Sequence, residues 1–203
     1  MANRRIAVLI SGRGSNLQAL IDASASGRLD ATIAVVVSNR ADAQGLARAR
    51  DAGIDAVTLP HRDYPTREAF EDALVAELRA RDVALVCLAG FMRLLGPTFL
   101  AAFGDRTLNV HPSLLPAFPG VDAQRQALEH GVKIAGATVH LVTGELDGGP
   151  IVAQGAVDVH DDDTAATLAA RILGVEHRIY PEAVASILDG GWTIQGRRYR
   201  KLP

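Results

Sequence analysis

Short, continuously apolar runs alternate with segments of helical period through the first half of the chain, and this alternation limits the possible folds more than anything else in the sequence. "RIAVLI", "ATIAVVV", "DAVTL", "VALVCLAG" and "RTLNVH" have the length and β-branched content of strands. Helical spacing fills the intervals at Ser15 to Ser26, Asp42 to Ala52 closed by Gly53, Thr66 to Arg81, and Pro97 to Phe103. A strand apolar on both faces must be covered on both faces. The alternation therefore predicts a doubly wound, mostly parallel α/β sheet flanked by helices. Beyond a proline-rich loop the sequence predicts a helix over 122–130, then strands over 133–142 and 151–159 joined by "TGELDGGP". Asp163 or Thr164 can cap a long helix towards Leu188, with a kink or break at Pro181, and a hairpin turns at Gln195-Gly196. Neither a linker nor an internal repeat interrupts residues 1–203, which read as a single domain.

Charge and length narrow the function classes. The 21 basic and 23 acidic residues leave a net charge of -2, so a general nucleic-acid binder is not expected. The apolar run after "MANRR" is too short for a signal-peptide core or a membrane span, and a cytoplasmic chain with no membrane partner is expected. Cys87, the single cysteine, stands in an apolar run and reads as a buried, inert thiol.

Ligands of open α/β sheets bind beyond the carboxyl ends of the strands. Three chemically loaded segments fall there: "SGRGSN", "AGFMRLL" and the end of "LNVH". In "LISGRGSNLQAL", Gly12 and Gly14 permit a tight turn, and the amides of Gly14, Ser15 and Asn16 would open a helix N-terminus that favours an anion such as phosphate. The Gly-Lys-Ser/Thr ending of a Walker A loop is absent, so nucleoside triphosphate hydrolysis is not expected. A dinucleotide fingerprint would need a third glycine where Leu17 stands, although Arg40 could meet a ribose phosphate and keeps a nicotinamide phosphate reading open. The plain alternative is a glycine turn with Ser15 capping a helix.

In "LNVHPSLLPAFPG", Asn109 and His111 sit two residues apart on a strand and so share a face. An amide donor beside an imidazole suits a carbonyl oxygen that becomes negative in a tetrahedral intermediate, with His111 also placed to act as general acid. For that role His111 must stay protonated near neutral pH, which a neighbouring carboxylate favours; Asp147 in "ELDGGP" is the candidate. Read singly, His111 would be a satisfied core histidine and Asp147 a turn residue. His140 reads as structural or supporting, with His111, His140 and Asp147 as metal ligands the weaker alternative. "VHDDDT" reads as an acidic turn capping the next helix, and "GRRYRK" as a solvated edge.

Together "LISGRGSN", "AGFMRLL", "LNVHPSLLPAFPG" and "TVHLVTGELDGGPIVAQ" resemble the folate-dependent phosphoribosylglycinamide formyltransferase family of purine synthesis, in order from about residue 5 to 190. The resemblance implies transfer of a formyl group from 10-formyltetrahydrofolate, as co-substrate, to the amine of glycinamide ribonucleotide, with no metal. It implies a phosphate-binding N-terminal half and a folate-binding, catalytic C-terminal half. By the same resemblance Gly14, Ser15 and Asn16 hold the substrate phosphate, Asn109, His111 and Asp147 are catalytic, and Glu176 holds the substrate amine. Folate contacts are implied for Arg67, Met92, Arg93, Leu94, Leu95 and Asn109, and for the loop Thr143, Gly144, Glu145 and Leu146. A homodimer is left as an option. The chain departs from the family at "GVDAQRQ", where Asp122 and Gln124 stand in place of a usual histidine, and at Gly144, usually acidic. Methionyl-tRNA formyltransferases normally add a C-terminal domain for which 203 residues leave no room, and formyltetrahydrofolate deformylases a regulatory domain before the first strand, which here starts by Arg5. The deformylase, and a non-catalytic folate- or nucleotide-binding module, stand as the alternatives.

Overall fold

The computed structural model describes residues 3–202. The chain divides into two compact units, one ending at Leu108 and the other beginning at Asn109. In the first, strands β1 (Arg5–Ile10), β2 (Thr32–Ser38), β3 (Ala56–Thr58) and β4 (Leu85–Leu88) alternate with helices α1 (Ser15–Ala25), α2 (Gly45–Asp51), α3 (Arg67–Ala80) and α4 (Pro97–Phe103). The strand order is β3-β2-β1-β4 and every pairing is parallel. From Ile6 onward β1 is buried, as is all of β4 with Cys87 in its middle. Covering on both faces is the reason these strands show no polar alternation. The order reverses between β1 and β4, the switch point at which doubly wound sheets take their ligands.

Helix boundaries follow local hydrogen bonding. Thr66 caps α3 by accepting from the amide of Ala69 at 3.1 Å. Helix α2 begins at Gly45 rather than at Asp42, because the Asp42 carboxylate is taken up by both Nε and Nη2 of Arg40, at 3.0 and 2.7 Å, instead of capping a helix amide. That same pair occupies the arginine that a nicotinamide phosphate reading would have needed. Helix α4 has no capping side chain of its own; the buried Glu71 of α3 supplies one, accepting from Gly96 N at 2.6 Å and Phe99 N at 3.1 Å. Phe99 and Phe103 stack at 5.7 Å in the core beneath it.

Strand β5 (Thr107–His111) spans the division. The second unit continues with α5 (Ala123–Glu129), β6 (Ile134–Leu141), β7 (Ile151–Asp158), α6 (Ala165–Leu188), β8 (Trp192–Gln195) and β9 (Arg198–Lys201). Strands β6 and β7 form an antiparallel pair, β9 joins β7 in parallel at Ile151, and β8 closes the order β6-β7-β9-β8. Backbones approach so closely across β6 and β7 that a Cβ on Gly136 would lie 2.0 Å from the carbonyl oxygen of Gly155. Helix α6 lays Leu168, Ile172, Ile179, Val184 and Ile187 on its buried face, and it runs through Pro181 without a break. Thr164 caps it in a reciprocal box with Thr167. Asp163 is clasped by both terminal nitrogens of Arg171 at 2.7 and 2.9 Å, and this pairing holds its carboxyl far below the usual range. The cap of the helix is thus Thr164, at the end of the acidic turn, and the aspartates brace the turn rather than cap helix amides. The fold is an α/β sheet flanked by helices, mostly parallel, as the alternation of the first half requires.

Candidate active site

The second unit gathers its chemistry around one carboxylate. Asn109 and His111 leave β5 on the same face, as their spacing predicts, His111 buried and Asn109 half-buried. Asp147 comes from the turn between β6 and β7, 36 positions further on, with a left-handed φ of 50° that aspartate tolerates better than most residues. Gly149 makes that turn possible, since a Cβ there would lie 1.7 Å from the carbonyl oxygen of Leu141. Oδ2 of Asp147 accepts from Gly120 N at 2.8 Å and lies 3.5 Å from Nδ1 of His111. The other nitrogen of His111 faces the carbonyl oxygen of Phe118 at 2.9 Å. A carbonyl cannot donate, so Nε2 carries a proton here.

His140 on β6 closes the cluster. Its Nδ1 donates to the carbonyl of Leu141 at 3.0 Å, and its Nε2 faces Nδ2 of Asn109 at 3.2 Å and Oδ1 of Asp147 at 3.6 Å. Burial pushes the Asp147 carboxyl up, but the hydrogen bonds from His140 and Gly120 and the charges of His111 and His140 together outweigh it, leaving the group below the usual carboxylate range. A negative carboxylate thus stands behind a histidine and an amide whose donors can face a reacting carbonyl. Among the described residues no group of three or more histidines, cysteines and acids could hold a metal ion.

The loop from 112 to 120, which supplies the Phe118 carbonyl and the Gly120 amide, is fastened from behind by residues the sequence reading passed over. The hydroxyl of Thr138 donates to Ser113 O at 2.7 Å and accepts from Leu115 N at 3.0 Å and from Nε2 of Gln154 at 3.0 Å. Gln154 also donates to Leu115 O at 2.9 Å. The two face one another in the pairing of β6 and β7, Thr138 fully buried and Gln154 exposed, and the polar Thr138 on the largely apolar β6 was the available signal. Where a histidine is usual in the resembled family, Asp122 takes a left-handed φ of 56° and pairs with Arg125, while Gln126 ties the loop by donating to Val121 O at 2.8 Å.

In the first unit Gly14 takes φ 74° and Ser15 opens α1, which carries no acidic residue in its first turn. The turn is braced by Gly45 N on Gly12 O at 3.0 Å and by Arg48 Nε on Arg13 O at 3.0 Å. Asn16 lies within the first turn, half-buried. Arg67 is half-exposed and donates to Glu71 at 2.8 Å, with Gly96 leaving the space its guanidinium fills. Met92 and Leu94 are exposed at 73% and 65% although apolar, beside the exposed Arg93 and the buried Leu95. In the second unit Thr143, Gly144, Glu145 and Leu146 are all exposed, and Glu176 lies on the buried face of α6.

The family model for formyl transferases matches residues 4–184. The chain belongs to the formyl transferase family. It is 48% identical, over 91% of its length and 87% of the relative's, to the phosphoribosylglycinamide formyltransferase of Escherichia coli K12. It is 46% identical to the human trifunctional purine biosynthetic protein adenosine-3, with 94% of this chain matching 19% of that one. The crystal structure of glycinamide ribonucleotide transformylase 1 from Symbiobacterium toebii superposes with a TM-score of 0.97 at 57% identity, covering 99% of this chain and 95% of that one. As a formyl transferase the chain is an enzyme that moves a one-carbon group, and the family implies a folate co-substrate.

Proposed function

We propose that this formyltransferase moves the formyl group of 10-formyltetrahydrofolate to the amine of 5'-phosphoribosylglycinamide, a step of purine synthesis. The observation that carries the reading is the Asn109, His111 and Asp147 cluster, in which an amide donor and an imidazole stand before one buried carboxylate. The substrate amine attacks the formyl carbon and forms the new C–N bond. The carbonyl oxygen gathers charge, which Nδ2 of Asn109 and a proton of His111 meet. Collapse of the intermediate breaks the bond from carbon to N10 of the folate, and the proton lost by the amine passes to that nitrogen. For His111 to reach the oxygen, Nε2 exchanges the Phe118 carbonyl for substrate.

Gly14, Ser15 and Asn16 hold the substrate phosphate through helix-opening amides, and Glu176 holds the amine. Arg67, Met92, Arg93, Leu94 and Leu95, with Asn109 and the loop Thr143 to Leu146, take the folate. The two units act as halves of one formyltransferase domain, since the family match runs through both. No helix among the described residues is long and apolar enough to cross a membrane. The test is a spectrophotometric assay with 10-formyltetrahydrofolate, comparing glycinamide ribonucleotide with water as acceptor. Turnover that requires the ribonucleotide is expected; equal turnover without it would make the protein a deformylase.

A further inference from the structure

The loops after β1 and β4 flank the switch point of the first unit, and one buried hydroxyl joins them. Ser11, the residue before Gly12, is 6% exposed. Its hydroxyl accepts from Met92 N at 2.8 Å and donates to Oδ1 of Asn39 at 2.6 Å. Its own amide donates to Gly90 O at 3.1 Å. Asn39, itself 4% exposed, follows β2, and its Nδ2 contacts Nδ1 of His61 at 3.2 Å. Three strand ends, those of β1, β2 and β4, are therefore fastened through a single serine side chain.

We propose that Ser11 is a positioning residue that couples the two substrate subsites, so that filling the phosphate loop favours folate binding at 92–95 and the reverse. The proposal rests on the subsite assignments given above. A buried hydroxyl whose proton and lone pair are both engaged cannot let one loop move alone. Shifting either leaves a buried polar group unsatisfied, which is unfavourable. The two loops thus share one ordered arrangement, and a ligand that orders the first lowers the cost of ordering the second. Met92 is where this acts: its backbone is held at Ser11 while its side chain stays in solvent. Coupling of this kind is reciprocal by linkage and typically about 5- to 150-fold.

Calorimetric titration with tetrahydrofolate, with and without saturating glycinamide ribonucleotide, reads the coupling without turnover. In the wild-type protein the ribonucleotide is expected to tighten tetrahydrofolate binding by at least about 5-fold. In Ser11→Ala that ratio should fall to within about 2-fold of unity, and Ser11→Thr, which keeps the hydroxyl, should restore it. Asn39→Ala, which removes the other anchor of the same hydroxyl, should lower the ratio too and serves if Ser11→Ala does not fold. A serine that merely supports the fold would weaken both ligands and leave the ratio unchanged, and that result, or a wild-type ratio of one, overturns the proposal. Failure of the wild-type protein to bind either ligand would instead remove the subsite assignments, and this inference with them.

Discussion

Asp147 shows how much a single carboxylate is asked to do. It accepts from Gly120 N, faces His111 and His140, and stays below the usual carboxylate range despite burial. An aspartate in an unfolded chain titrates near about 3.9, so with a lower folded value its contribution to stability is complete above about pH 5 and is lost as pH falls through the folded value. Asp147→Asn should therefore lower the melting temperature most above pH 5, and the gap from wild type should narrow below pH 4; thermal scans across that range test it. Asn109→Ala should cut kcat by about 10²- to 10³-fold, the usual loss for one oxyanion donor, with little change in KM for the ribonucleotide. The pairing of Asn109 with His111 was legible in the sequence because a strand period of two is a rule of geometry. Asp147 was legible only as a candidate, since it lies 36 positions beyond His111 and reaches it only once the β6–β7 hairpin has folded against the end of β5. The Phe118 carbonyl and the Gly120 amide were not legible at all, because a backbone group carries no residue signature.

Elements here are ended and tied down by side chains from elsewhere in the chain. Helix α4 takes its cap from Glu71 of α3, and the loop after β5 takes its anchor from Thr138 of β6. Thr138→Val keeps the shape but leaves Leu115 N and Ser113 O without their partner. Unfolding free energy should fall by about 1–3 kcal/mol, and kcat should fall with it as the Phe118 carbonyl loses its placement, as denaturant titration and steady-state rates would show. Gly14→Ala meets both a left-handed backbone and a Cβ contact of 2.7 Å with Gly45 Cα. The left-handed conformation alone costs about 1–2 kcal/mol, so a lower melting temperature and a raised KM for the ribonucleotide are expected together. Strands and most helices were readable from apolar periodicity and caps. The start of α2 was not, because Asp42 bonds Arg40 rather than the helix, a choice between two partners that local sequence does not decide.

For the molecule as a whole, the loop proposed to hold the substrate phosphate belongs to the unit ending at Leu108, and the Asn109 cluster to the unit that follows. Ser15→Ala should raise KM for the ribonucleotide more than that for the folate and leave kcat near wild type, in contrast to Asn109→Ala, and comparison of the two variants under identical conditions checks the division. Fold class was legible at this level because both faces of β1 and β4 are apolar, a property of composition that survives any error in boundaries. Cys87 has a further use. It is the chain's single thiol, wholly buried in β4 between neighbours of the central sheet, so an alkylating or chromogenic thiol reagent can reach it only when that sheet opens. The rate of its modification is then a built-in clock for global opening, readable without any added label, and any cysteine introduced at the surface would react well before it.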